Sequence, residues 1–207
     1  MDINPMSLVR IVDDDEEMRL SLEFLLQTEG WNTAVYASAE EFIQKDNPLV
    51  PGCLVLDIRM PKMSGLQLQE YLSNTPYKLP IIFITAHGEI DIAVNVLKAG
   101  AFDFMTKPLD MTKFMKSISE AVAKDWEERA RTQVHTSSIR AVKQLTKREL
   151  EVAELVAKGD MNKIIADKLN ISEKTVHVHR GAVYKKLGVR TAVGVSKVLE
   201  EGRAERN

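Results

Sequence analysis

Five short apolar runs alternate with stretches of helical periodicity through the first 124 residues, and no other feature of the chain narrows its fold as far. The runs lie near 8–12, 32–36, 53–57, 80–84 and 102–105. They are brief and apolar, with Gly30, Pro51-Gly52, Pro76 and Gly100 as punctuation, which is how buried strands read. Helical patterns fill the intervals near 15–29, 39–45, 65–73, 89–99 and 110–130. Ser38 and Glu41 are expected to form a capping box, the serine taking an orphan N–H and the glutamate reaching back. Strands and helices in this alternation build a parallel sheet with helices on both faces. The expected fold is a five-stranded, parallel, doubly wound α/β domain.

Ligands of such an open sheet bind at the carboxyl edge of its strands, so the residues that close each run carry the most information. Cys53–Asp57 ends in a carboxylate, with Met60-Pro61 just beyond. Leu8–Val12 is followed by Asp13, Asp14 and Asp15, Ile81–Ile84 by Thr85, and Ala101–Met105 by Lys107-Pro108. Four strand ends thus deliver acids, a hydroxyl and an amine to one edge. Phosphoryl transfer onto a carboxylate needs that set. Asp57 can supply an exposed, ionised nucleophile. Asp13 and Asp14 with Asp57 can hold a divalent cation, and hard oxygen ligands suit Mg²⁺. Lys107 and Thr85 can meet the phosphoryl oxygens as charge develops. His87, two residues past Thr85, reads as an exposed loop histidine rather than a general base.

Charge divides the chain. Through residue 124, 11 Lys and Arg face 18 Asp and Glu, a net −7. Residues 125–143 carry +1 and residues 144–207 carry +4. An acidic front and a mildly basic tail suggest two modules with different partners. The basic excess is too small to establish nucleic-acid binding by itself. The single cysteine, Cys53, lies inside a strand; it reads as a small core residue and excludes an intramolecular disulfide. There is no basic segment leading into an apolar stretch and no run of about 18 apolar residues. A soluble cytoplasmic protein is expected.

Residues 122–143 are polar and charged. Their first half continues the preceding helix, and Val134–Ser138 carries turn-forming residues expected to make a flexible joint. The organisation expected is a first domain over 6–124, a helical or flexible linker over 125–142 and a second domain over 143–201. The second is all helical. Thr146 and Glu149 make a capping box, Gly159 ends that helix, and a short helix runs from Asn162 to Leu169. Asn170-Ile171 is the turn, Ser172 caps a helix from Glu173 to Leu187, Gly188 ends it, and a fourth helix covers about 192–201. Two short helices joined by a tight turn form the helix-turn-helix pattern.

Several of these segments fall into a known order. Val12-Asp13-Asp14, Leu56-Asp57 with Arg59-Met60-Pro61, Ser64-Gly65, Ile84-Thr85-Ala86 and Thr106-Lys107-Pro108 resemble the receiver domain of bacterial two-component response regulators, over about residues 6–124. The resemblance implies a flavodoxin-like fold in which Asp57 accepts phosphate from a partner kinase's phosphohistidine. It implies that Asp14, Asp57 and the backbone carbonyl of Arg59 bind Mg²⁺, with Asp13 acting largely through water. Thr85 and Lys107 would bind the phosphoryl oxygens, and the Lys107–Pro108 peptide would be cis. Phe104 matches the switch aromatic that turns inward when Thr85 moves toward the phosphoryl group. Asp15, on the same register, begins the first helix, where its charge favours the helix N-terminus.

The tail resembles the helix-turn-helix domain of the NarL/FixJ branch over about 143–201. The resemblance rests on Leu145-Thr146 with Glu149, Val152, Gly159, Asn162-Lys163, Ile165-Ala166, Leu169, Ile171-Ser172, Thr175-Val176, Val178-His179 and Lys186-Leu187-Gly188-Val189-Arg190. Helical spacing puts Val176, Val183 and Leu187 on the core side. Lys174, His177, Val178, Gly181 and Lys185 fall on a face that can enter a major groove, with Thr175 beside it. Lys174, His179, Lys185 and Lys186 are candidates for phosphate contacts, which position without specifying. His177 can reach a base edge and Val178 a thymine methyl. Some NarL-type relatives carry lysine where His177 and Gly181 stand.

Taken together, the chain reads as a FixJ/NarL-type response regulator, a transcriptional activator switched by phosphorylation. A sensor histidine kinase would phosphorylate Asp57, homodimerisation would follow through the face around residues 89–109, and the dimer would bind double-stranded promoter DNA and work with RNA polymerase. No G-x-x-x-x-G-K-[ST] segment is present, which excludes sigma-54-type activation. A haloacid-dehalogenase-type phosphatase also uses a strand-end aspartate with Mg²⁺, but needs an acid two residues on, where this chain has Arg59. A phosphorylation-switched, protein-binding regulator without DNA contacts is the remaining alternative, and the salt dependence of a mobility shift separates it.

Overall fold

The computed structural model describes residues 6–76, 78–86 and 90–203. The chain divides into two compact units, 1–129 and 130–207. In the first, strands β1 (Leu8–Val12), β2 (Asn32–Tyr36), β3 (Gly52–Asp57), β4 (Ile81–Thr85) and β5 (Asp103–Thr106) pair in the order β2-β1-β3-β4-β5. Every pairing is parallel. The intervening helices are α1 (Glu16–Thr28), α2 (Ala39–Lys45), α3 (Gly65–Ser73) and α4 (Ile90–Lys98), and α5 (Met111–Lys143) follows β5.

The period of two along the strands decides which helices lie where. Val9, Ile11, Cys53, Val55, Ile82 and Ile84 pack with Leu22 and Leu26 of α1 and with Phe114 and Ile118 of α5. Their neighbours Val12, Leu54, Leu56, Ile81 and Phe83 pack with Phe42 of α2, Leu68 and Leu72 of α3 and Val96 of α4. The middle strand β3 is buried along its whole length, as a parallel strand covered on both faces must be.

Local chemistry sets the helix starts. Asp15 caps α1, its carboxylate accepting from the N–H groups of Glu17 and Met18. Ser38 caps α2 through the Glu41 N–H, but Glu41 reaches one residue further back than expected, its carboxylate accepting from the N–H of Ala37 at 2.7 Å. Ser64 and Gln67 form a capping box on α3. A Cβ on Gly65 would stand 2.1 Å from the carbonyl oxygen of Asp57, so glycine is what lets α3 begin against the end of β3.

The flexible joint expected at Val134–Ser138 is a correction: α5 is helical to Lys143. The polar side chains there find partners that keep the helix intact. The Ser137 hydroxyl donates to the carbonyl of Val134 at 2.7 Å, and that of buried Ser138 donates to Glu201 at 2.6 Å. Ala141 and Val142 pack against the helical core of the second unit. Tertiary contacts thereby override the turn preference of the serines.

The second unit also contains α6 (Lys147–Ala157), α7 (Asn162–Leu169), α8 (Glu173–Leu187) and α9 (Ala192–Arg203). Its core joins Val152 and Val156 of α6, Ile165 of α7, Val176, Val183 and Leu187 of α8, and Val195 and Leu199 of α9. The capping box of Thr146 and Glu149 is present as expected. Asn170 closes α7 in the left-handed region at φ 52°, a conformation asparagine tolerates better than most residues. Among the described residues no helix is long and apolar enough to cross a membrane.

Candidate functional site

The carboxyl edge of the sheet gathers the residues the strand ends pointed to. Asp13 follows β1, Asp57 closes β3, Thr85 closes β4 and Lys107 follows β5. The ammonium of Lys107 bridges the two acids, at 2.8 Å from Asp13 Oδ2 and 3.1 Å from Asp57 Oδ1. The remaining oxygens are also engaged. Asp13 Oδ1 accepts from the Asp15 N–H at 2.9 Å, and Asp57 Oδ2 from the Arg59 N–H at 2.7 Å. Thr85 is buried, and its carbonyl accepts from the Lys107 N–H at 2.8 Å. The Lys107–Pro108 peptide is cis.

Burial is the main electrostatic influence on Asp57. It pushes the carboxyl above the ordinary aspartate value, with nearby Asp13 adding to the rise and Lys107 opposing it. Burial also works against the charge on Lys107, but Asp13 and Asp57 outweigh it and raise the ammonium. The two acids thus favour the charged form of Lys107, while burial disfavours that of Asp57.

Not every expected residue joins this group. Asp14 is exposed and makes no side-chain hydrogen bond among the described residues. No cluster of three acidic, histidine or cysteine side chains close enough to hold a metal occurs among them. Asp13 and Asp57 nevertheless converge on one ammonium, and their donors are all hard oxygens, the chemistry Mg²⁺ takes. Arg59 is exposed beside Asp57. Phe104 is half-buried on β5 and packs against the cluster under α2, α3 and α4. His87 lies outside the described residues.

Residues that the sequence pattern did not single out hold the edge in place. Arg19 of α1 donates to the Asp13 carbonyl at 2.7 Å. Arg10 is fully buried in β1, where it pairs with Asp46 at 2.8 Å and donates to the carbonyls of Leu8, Asn47 and Val50. The Tyr36 hydroxyl donates to the same Asp46 oxygen at 2.9 Å, and burial followed by that carboxylate raises its pKa. The apolar context of Arg10 inside a strand was the one signal that it needed a buried acid.

In the second unit, α8 presents two faces. Val176, Val183 and Leu187 are buried, while Lys174, Thr175, His177, Val178, Gly181 and Lys185 are exposed. Val178 is 65% exposed, unusual for valine and suited to an apolar contact from outside. A Cβ on Gly181 would meet nothing within 4 Å, so the backbone there is open to close approach. The Thr175 hydroxyl lies 2.8 Å from that of Ser172 and belongs to the helix cap. His179 is half-buried to one side. Lys186 is half-buried. Its ammonium lies 2.6 Å from Glu149 and 3.2 Å from the Gln144 carbonyl, tying α8 to the cap of α6. That contact, followed by the Thr146 N–H, pulls the Glu149 carboxyl below its usual value. Arg180 was missed by the face argument. It donates to Asn162 at 2.7 Å and to the Tyr184 hydroxyl at 3.0 Å, joining α7 to α8 across the turn.

Both units match families of known proteins. The model of the response regulator receiver domain matches residues 9–119, and that of bacterial regulatory proteins of the luxR family matches residues 143–198. The transcriptional regulatory protein TdiR of Thauera aromatica is 37% identical over 185 residues, covering 89% of this chain and 82% of that protein. The transcriptional regulatory protein FixJ of Azorhizobium caulinodans is 35% identical, covering 86% of this chain and 85% of that one. The solved structure of the response regulator StyR is 38% identical and superposes with a TM-score of 0.87, covering 95% of this chain and 99% of that one.

Proposed function

Because the chain belongs to the two-component response regulators that join a receiver domain to a LuxR-type helix-turn-helix domain, and is a phosphorylation-dependent transcriptional regulator rather than a typical enzyme, we propose that Asp57 is its phosphoacceptor and that phosphorylation turns it into a dimeric activator. The observation that carries this is Lys107, whose ammonium touches Asp57 and Asp13 at the mouth of the sheet.

An Asp57 oxygen attacks the phosphorus of a kinase phosphohistidine. The O–P bond forms as the P–N bond breaks, and the electron pair leaves with the imidazole, which takes up a proton. Lys107 is already within reach of Asp57 and meets the phosphoryl oxygens as their charge builds. Thr85, buried at the neighbouring strand end, takes another of them. Asp13, Asp14, Asp57 and the Arg59 carbonyl would hold Mg²⁺, which when bound neutralises phosphoryl oxygens. The same groups let the chain promote its own phosphorylation and dephosphorylation.

The phosphoryl group adds a charge of about −2, which changes Thr85 and Phe104 and with them the face around residues 89–109. A second copy then packs on that face, which light scattering with and without beryllofluoride measures. Lys174, Thr175, His177, Val178, His179, Gly181 and Lys185 form the side of α8 offered to the DNA major groove, with Lys186 at its end. Recruitment of RNA polymerase and a cytoplasmic location complete the reading, with a receiver over 6–124, a linker over 125–142 and a DNA-binding domain over 143–201. Incubation with acetyl phosphate and Mg²⁺, followed by mapping of the modified residue, tests it. Labelling of Asp57→Ala at the wild-type level would refute it.

A further inference from the structure

Between Glu128 and Glu149 the chain carries six Lys or Arg and no acid, although the whole protein is net −2. Two of the six are neutralised locally, Arg129 by Asp125 and Arg148 by Glu151. Arg140 is exposed and has no ion pair among the described residues. It stands on a stripe of α5 that repeats at helical spacing, Gln133, Thr136, Ser137 and Arg140, with Gln144 just past the helix end. With Lys186 of α8 these side chains line a hollow of about 440 Å³ that has no carboxylate in its lining. An ammonium has three protons to donate. Glu149 and the Gln144 carbonyl take two of those on Lys186, which leaves one for the hollow. The α5 macrodipole accounts for a cation in the last turn, but not for the absence of acids around it.

The place of the hollow names the anion. Lys174, Val178, Gly181 and Lys185 form the exposed stripe of α8, and Lys186 follows Lys185 by about 100° around the helix. A helix with its side chains is about 10–12 Å across, and the major groove is about 12 Å wide. A helix whose stripe faces the groove floor therefore turns the residues about a quarter-turn away toward the walls, which are phosphodiester backbone. Lys186 and the end of α5 lie on that flank. A phosphodiester carries one negative charge on two unesterified oxygens. Arg140 and the remaining Lys186 proton can meet them as charge-assisted donors, and hydroxyl and amide side chains are usual further donors to DNA phosphates.

We propose that this hollow binds a backbone phosphate of duplex DNA, so that the end of α5 is a sequence-independent DNA contact outside the helix-turn-helix, with Arg140 its main cation. The inference rests on the reading of α8 as the helix that enters the groove. Fluorescence anisotropy measures binding of the full-length chain to a selected duplex and to an unrelated one across a salt series, with beryllofluoride present throughout. The variants are Arg140→Ala, Arg140→Lys and Ser137→Glu, with thermal melts alongside. Arg140→Ala should lower the salt slope by about 1 and weaken both duplexes by the same factor. Arg140→Lys, which keeps the charge, should keep the slope. Ser137→Glu, which puts an anion into the hollow, should weaken both duplexes alike, and it carries the test if Arg140→Ala does not melt cooperatively. Wild-type affinity and slope in a folded Arg140→Ala or Ser137→Glu variant overturns the proposal, as does an Arg140→Ala variant whose losses differ between the two duplexes. Inorganic phosphate titrated by calorimetry distinguishes the other source of the same chemistry: Arg140-dependent uptake of phosphate with an unchanged DNA slope assigns the hollow to the free anion and overturns the DNA contact. A wild-type chain that binds neither duplex instead overturns the reading of α8, and the two failures are distinct.

Discussion

Replacing Lys107 with alanine would leave Asp13 and Asp57 facing each other without a counter-ion. At 2.8 and 3.1 Å and an effective dielectric of about 20, each attraction is worth roughly 5–6 kcal/mol before desolvation. Most of that is cancelled by taking the ammonium out of water. Removing one partner of a fully buried pair costs about 3–5 kcal/mol. The Lys107 side chain keeps 16% exposure against 1% for Asp13 and 8% for Asp57. Some water can therefore replace it, and a loss of about 2–4 kcal/mol is expected. A surface pair would lose at most about 1 kcal/mol, so the magnitude itself tests the burial argument. Urea unfolding in EDTA, followed by tryptophan fluorescence, reads the loss. Trp31 and Trp126, the chain's two tryptophans, both lie in the first unit, so the signal reports that unit. Lys107→Ala/Asp57→Asn should regain much of the loss, because one buried carboxylate has gone. A Lys107→Ala variant within about 0.5 kcal/mol of wild type would refute the reasoning.

Three further outcomes follow from the same geometry. Asp57→Asn should stabilise the first unit at neutral pH, because two carboxylates share one ammonium and burial raises Asp57. A raised carboxyl contributes stability below its unfolded value that is lost as pH rises through the folded one. The advantage of Asn should therefore vanish on acidification, which melts across pH would show. His177→Ala or Val178→Ala should change the preferred DNA site at a cost of about 1–3 kcal/mol, whereas Lys185→Ala should weaken all sequences alike and lower the salt slope by about 1; selection from a random DNA pool separates the two. Arg180→Ala removes the bonds to Asn162 and Tyr184 and should destabilise the second unit by roughly 1–2 kcal/mol, read by circular dichroism melts.

Much of this was legible in the sequence for a physical reason. Asp57, Asp13, Thr85 and Lys107 each sit at the end of an apolar run, and in a parallel sheet every run ends at the same edge. Period and punctuation thus placed four distant residues together without any knowledge of contacts. The two faces of α8 were legible in the same way, because Val176, Val183 and Leu187 repeat at helical spacing. What escaped was long-range and side-chain specific. Nothing in local spacing links Arg180 to Asn162 or Lys186 to Glu149. Val134–Ser138 was misread because turn propensity is a local statistic. Ser138 instead meets Glu201, which lies 63 positions along the chain. Asp14 shows the complementary limit: its position in the motif does not by itself bring its carboxylate to Asp57.

The central claim is that phosphate on Asp57 controls binding of DNA by α8. The most direct measurement is the affinity of the full-length chain for duplexes selected from a random pool, by fluorescence anisotropy at fixed salt, with and without beryllofluoride and Mg²⁺. Wild type should tighten by about 10-fold or more, within the usual range of coupling between two sites, and Asp57→Ala should not respond. An equal response from Asp57→Ala, or no response from wild type with beryllofluoride demonstrably bound, would contradict the account.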